Sequence, residues 1–144
     1  MSARSTGCPT GQRQYVNQVL IEWGKCGIKG WGVKISNPVL SMLGLDPNTP
    51  CRDCVKEGYQ NGEIILSACC DPPNMVRNPR DRECRRSGHP GKYKIRKCGY
   101  VRIANRIARA FNFNPSQNYT ADMYVDNCWI ILTNIRPHRP QKMI

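Results

Sequence analysis

Nine cysteines constrain this chain more than any other feature of its sequence. Six of them lie between Cys51 and Cys98, in a stretch that is rich in turns and poor in apolar residues. Because so few apolar side chains cannot offset the entropy of ordering the loops, we expect disulfides or a metal ion to hold this stretch.

The adjacent pair Cys69-Cys70 favours disulfides, since vicinal cysteines are common where two bridges diverge from the end of a strand. Each bridge would add about 2–4 kcal/mol of stability by restricting the unfolded chain. An odd number of cysteines leaves one thiol over, and we assign Cys8, in the terminal arm, as free or intermolecular. The sequence does not select among the pairings of the others, so the disulfide candidates are Cys26, Cys51, Cys54, Cys69, Cys70, Cys84, Cys98 and Cys128.

Zinc is the alternative means of holding the same stretch. Cys51 and Cys54 have the spacing of a zinc knuckle, and Cys84 with His89 could complete a tetrahedral site of three thiolates and one imidazole. The second half lacks the paired CxxC spacing of a typical structural zinc site. We therefore predict no cofactor, with zinc at these four residues as the alternative.

The net charge of +12 favours an anionic partner. Of the 22 lysines and arginines, 12 lie between residues 77 and 109, where only Asp81 and Glu83 oppose the run up to Lys97. This basic surface is predicted to dock on acidic protein or, alternatively, on nucleic acid. The predicted anion-binding residues are Arg77, Arg80, Arg82, Arg85, Arg86, Lys92, Lys94, Arg96, Lys97, Arg102, Arg106 and Arg109.

Apolar periodicity predicts an α+β fold, loop-rich and stapled by disulfides, with two amphipathic helices on a short, mostly antiparallel sheet. The first helix is predicted from Gln12 to Trp23, with Tyr15, Val16, Val19, Leu20 and Trp23 on one face. The second is predicted after Gly99, with an apolar stripe opposite three arginines. Strands are predicted at 32–36, 62–68, 92–97 and 123–135.

The length of 144 residues favours a single domain. We expect an N-terminal arm over residues 1–11, a globular body over 12–135 and a basic tail over 136–144. No apolar run is long enough to span a membrane. The first residues also lack the apolar stretch of a signal peptide.

The sequence contains no catalytic motif: neither GxSxG nor HExxH occurs, and both histidines lie beside prolines in basic segments. We therefore predict a non-enzymatic structural protein that docks on neighbours in a large assembly. In general character, rather than in any motif, the basic, cysteine-rich chain resembles the small minor capsid proteins of large icosahedral DNA viruses. That resemblance implies a virion component whose partners are its capsid neighbours, and whose thiols are oxidised within the virus.

Two alternatives stay open at this point. One is a zinc-stabilised module that binds nucleic acid in the nucleus or cytoplasm, using the basic face and the Cys51–His89 ligand set. The other is a secreted, disulfide-rich ligand or effector.

Overall fold

The protein folds as a nearly closed, eight-stranded antiparallel barrel with two short helices. The computed structural model describes residues 8–45, 54–79, 84–85, 88, 91–96 and 98–139. The strands are β1 (Gln14–Trp23), β2 (Trp31–Lys34), β3 (Cys54–Gln60), β4 (Glu63–Ser67), β5 (Tyr93–Lys94), β6 (Tyr100–Arg102), β7 (Tyr119–Asp126) and β8 (Trp129–Pro137). The helices are α1 (Asn37–Met42) and α2 (Asn105–Ala110).

The strands run around the barrel in the order β5-β3-β4-β8-β7-β1-β2-β6, and every pairing between them is antiparallel. The circle closes at a seam between β5 and β6, which are both short. There, Ile95 forms a bridge with Val101, and the Arg96 N–H donates to the Tyr100 carbonyl over 2.8 Å. Short strands at the seam leave room for a cavity beside it.

The predicted α+β arrangement is wrong, and the first predicted helix is the clearest error. Residues 14–23 form the longest strand of the barrel. The pairing of β1 with β7 shifts register between Tyr15 and Asn17, so that Val16 is an extra residue in the strand. Val16 and Val19 both pack against the core. The bulge thus gives the inward residues a three-residue spacing that imitates a helix.

The second predicted helix is present but shorter than expected. Residues 100–102 continue the sheet as β6, and the helix begins only at Asn105. Ile107 and Ala108 are buried on its inner face, as the apolar stripe predicted. The predicted long strand over 123–135 is a hairpin of β7 and β8, which turns at Asn127 with a φ of 53°.

The barrel interior is filled by apolar side chains from every strand. Ile21, Ile64, Leu66, Ile130 and Leu132 are each fully buried at 0% exposure. At one end, aromatic rings complete the core: Trp31 lies 5.2 Å from Phe113 and 5.5 Å from Tyr119, between ring centroids. The packed interior leaves the outer surface and the seam as the places where a partner can bind.

Four disulfides staple the loops to this barrel, which confirms the prediction that the cysteines form disulfide bonds. They join residues 62, 72, 30 and 59 positions apart in the chain. Cys8 is bonded to Cys70, so its assignment as the free thiol is corrected. Hydrogen bonds hold the arm there, because the N–H groups of Thr10 and Gly11 both donate to the Asp126 carboxylate. The pairs are Cys8–Cys70, Cys26–Cys98, Cys54–Cys84 and Cys69–Cys128, and Cys51 lies outside the described residues.

Gly58 in β3 is required where the chain crosses the outside of the sheet. A Cβ at this position would lie 2.8 Å from the Pro72 Cβ and would also collide with the Pro73 carbonyl oxygen. The Tyr59 N–H donates to that same oxygen, so the crossing segment cannot retreat without breaking a hydrogen bond.

We therefore expect Gly58→Ala to lower the free energy of unfolding by about 1–3 kcal/mol, measured by urea denaturation. Gln60→Ala, at an exposed position of the same strand, is the control and should change stability by less than about 0.5 kcal/mol. Equal midpoints for the two variants would show that the crossing segment yields freely.

Candidate anion-binding site

A surface cavity of about 420 Å³ lies beside the barrel seam, between β5, β6, the start of α2 and the segment that follows Val76. Its volume is within the range of small-molecule and side-chain binding pockets, roughly 300–1,000 Å³. Its wall is unusually basic and contains no carboxylate. The lining residues are Val76, Arg77, Asn78, Pro79, Tyr93, Arg102, Ala104, Asn105, Arg106 and Arg109.

The fold brings four arginines from three elements to this cavity. Arg102 ends β6, and Arg106 and Arg109 are three residues apart on α2, which places them on one face of the helix. Arg77 arrives from a distant part of the sequence, directly after Val76. The Val76 N–H donates to the Glu57 carbonyl over 2.8 Å and so ties this segment to β3.

Glycines position two of the four guanidinium groups. A Cβ on Gly91 would lie 3.0 Å from the Arg77 Nη1, and one on Gly30 would lie 3.2 Å from the Arg102 Nε. Each arginine therefore lies against backbone that has no side chain to displace it. Arg102 is further held by its Nη2, which donates to the Asn105 Oδ1 over 3.3 Å.

Within the described part of the chain, none of these four arginines forms an ion pair with a carboxylate. The ion pairs there use other cations: Arg13 with Glu63, Lys56 with Asp71, and Arg136 with Asp122. Four guanidinium groups therefore share one concave wall without neighbouring carboxylates to neutralise them. Guanidinium is the side-chain group best shaped to bind carboxylate and phosphate oxygens in pairs.

A buried carboxyl group lies behind the cavity wall. Glu57 is 0% exposed, and its Oε1 accepts a 2.7 Å hydrogen bond from the Ala104 N–H at the start of α2. Its Oε2 has no hydrogen-bond partner. Burial raises the pKa of Glu57 well above its ordinary value of 4.5, although the Ala104 N–H and the charge of Arg102 oppose the rise. Burial, and then Glu57, also raise the pKa of Tyr93.

Glu57 therefore carries its proton at neutral pH and leaves the positive charge of the cavity intact. The sequence analysis missed this residue. Period-two alternation in β3 places it on the same face as Val55 and Tyr59, and that signal would have found it once the strand was recognised.

The structure separates the predicted anion-binding residues into three groups. Arg77, Arg102, Arg106 and Arg109 line the cavity. Four others are described but lie elsewhere, and Lys92 among them has its pKa lowered by burial and by the nearby Lys56. The other described ones are Arg85, Lys94 and Arg96, while Arg80, Arg82, Arg86 and Lys97 lie outside the described residues.

The alternative zinc set does not form as proposed. Cys54 and Cys84 are bonded to each other, so neither sulfur is a thiolate that could bind zinc. Cys51 and His89 lie outside the described residues. Among the residues that are described, no three metal-ligating side chains converge, and no helix is long and apolar enough to cross a membrane.

Fold and site together define a disulfide-stapled antiparallel barrel with an arginine-lined cavity at its seam. No protein-family model, curated protein or solved structure matches this chain.

Proposed function

We propose that this chain is a non-enzymatic structural protein that docks its arginine-lined cavity on acidic surfaces of neighbouring proteins in a large assembly, such as a virion. The observation that carries the proposal is the convergence of Arg77, Arg102, Arg106 and Arg109 on one cavity without a compensating carboxylate in its wall. A rigid, stapled barrel suits such a role, because a preformed surface loses little conformational entropy when it binds.

Two charge-matched variants test the contribution of this cavity. The cavity variant carries Arg77→Gln, Arg106→Gln and Arg109→Gln, and leaves Arg102 in place because its side chain packs against Gly30 and bonds to Asn105. The control variant carries Lys25→Gln, Lys34→Gln and Arg139→Gln. These three cations are exposed and do not line the cavity. Each variant removes three positive charges.

With poly-L-glutamate as the acidic probe, we expect fluorescence anisotropy to show binding that weakens about tenfold in the cavity variant. The control variant should stay within about threefold of wild type, the loss expected for scattered surface charge. Equal weakening of both variants would mean that only net charge is read. Tighter binding of a single-stranded oligonucleotide than of poly-L-glutamate, at about 0.15 M salt, would favour nucleic acid instead.

The assembly itself is testable in the source of the chain. The protein should sediment with particles far heavier than its own 16.4 kDa, and the cavity variant should be released from them. A chain that sediments alone would contradict a structural role.

Four disulfides favour a second candidate, a secreted binding protein, because such bridges persist in oxidising compartments. The same cavity would then meet its acidic partner outside the cell. Recovery of the oxidised chain from the medium, rather than from particles, would select this candidate.

A further inference from the structure

We infer that the group which enters the arginine-lined cavity is a phosphate monoester, carried as a phosphorylated side chain by the docked neighbour. The inference rests on the proposed docking function and specifies the chemistry of the partner. It starts from the balance of charge between the cavity and its occupant.

A carboxylate is a poor match for this cavity. It carries one negative charge, whereas four guanidinium groups face the same space of about 420 Å³. A phosphorylated side chain carries about −1.5 to −2 charge at neutral pH. Phosphate therefore offsets more of the repulsion among Arg77, Arg102, Arg106 and Arg109.

The geometry of the donors points the same way. Arg106 and Arg109 approach from α2, Arg102 from β6, and Arg77 from the opposite wall, so donors reach the cavity from several directions. A phosphate monoester offers three strong acceptor oxygens, arranged to receive N–H groups from several sides. A planar carboxylate is met best by one guanidinium fork in its own plane.

The shape of the site favours a monoester over a nucleic-acid backbone. Backbone diesters are bound along grooves in which cations follow the strand, with aromatic rings that stack on bases. Here the cations surround one concave site, and Tyr93, the aromatic ring in its wall, is only 5% exposed and closed to stacking. Glu57, held neutral behind the wall, leaves this positive potential undiminished.

The experiment compares three short glycine peptides that differ only at the central residue: phosphoserine, glutamate or serine. Calorimetric titration of the oxidised full chain, in a phosphate-free buffer, should show the phosphoserine peptide binding at least about tenfold more tightly than the glutamate peptide. The cavity variant should lose most of that preference, and the control variant should keep it. Binding should also weaken below about pH 6, where the phosphate loses its second charge.

Each other result has a separate meaning. Equal affinity for phosphoserine and glutamate would overturn the phosphate inference and leave acidic docking intact. Inorganic phosphate that binds as tightly as the phosphoserine peptide would overturn the assignment to a partner side chain. A preference that survives equally in both variants would place the phosphate outside this cavity. Failure of all three peptides, together with binding of poly-L-glutamate, would reject the inference alone, while failure of both kinds of probe would reject the proposed function as well.

Discussion

Reduction of the four disulfides is expected to unfold the barrel in water. The bridges close loops of 62, 72, 30 and 59 residues. The chain-entropy relation gives about 3.5–4.5 kcal/mol for one bridge of such length. A domain of this size has only about 5–15 kcal/mol of total stability, so losing several bridges removes most of it. Even with strongly non-additive losses, the reduced state should be unfolded or molten.

Circular dichroism with a thiol reductant measures this directly. The near-ultraviolet signal of the buried Trp31 and the cooperative thermal transition should both disappear as the bridges open. Intact-mass measurement before reduction should show roughly 8 Da less than the fully reduced chain, two hydrogens for each bridge. A reduced chain that keeps a cooperative transition would show that the apolar core is sufficient without the bridges.

Single bridges should rank by loop length. Cys26→Ser with Cys98→Ser opens the 72-residue loop and should cost about 0.8 kcal/mol more than Cys54→Ser with Cys84→Ser, which opens the 30-residue loop. Cys54 and Cys84 are both buried, at 4% and 2% exposure, so lost packing works against this order. A reversed ranking would mean that packing around Cys54–Cys84 outweighs the entropy of the loop.

The sequence predicts local features of this fold better than its architecture. The helix at 105–110 and the strands at 31–34 and 63–67 lie close to their predicted positions, because each has a clear apolar pattern and a nearby turn. The barrel itself depends on pairings between distant strands, such as β1 with β7 and β4 with β8. No local pattern encodes those partners. The bulge at Val16 adds a residue that makes a strand look helical.

The candidate site divides in the same way. The spacing of Arg106 and Arg109 on a helix was visible in the sequence, whereas the approach of Arg77 depends on a crossing segment ordered by tertiary contacts. The glycines that receive Arg77 and Arg102, Gly91 and Gly30, resemble ordinary turn residues until their neighbours are known. Long-range pairing therefore decides which of the many cations become a site.

The second large effect should come from Glu57, the carboxyl group buried behind the cavity. Because its pKa is raised in the folded state, folding favours the protonated form. The stabilisation is fully present below the ordinary pKa of 4.5 and is lost as pH rises toward the folded pKa. Over that window Glu57 should lower the stability of the wild type by up to about 1.4 kcal/mol for each pH unit.

Glu57→Gln should remove this dependence. The amide oxygen can still accept the Ala104 N–H, and the side chain has no proton to lose. Near pH 4 the variant should match the wild type within about 1 kcal/mol, and above that pH it should become progressively more stable. The difference in unfolding free energy between variant and wild type, measured in urea at several pH values, isolates this residue from other titrating groups.

Glu63→Gln provides a control of opposite sign. The hydrogen bond from Arg13 lowers the pKa of Glu63, so its contribution is present above the ordinary pKa of 4.5 and is lost as pH falls. This variant should be less stable than the wild type at neutral pH, by less than about 1 kcal/mol because the pair is near the surface. Among the groups around Glu57, Arg102 stays charged throughout, and the raised pKa of Tyr93 moves its titration further above this range. A pH-independent difference for Glu57→Gln would show that water reaches the carboxyl group, and that the cavity floor is open rather than sealed.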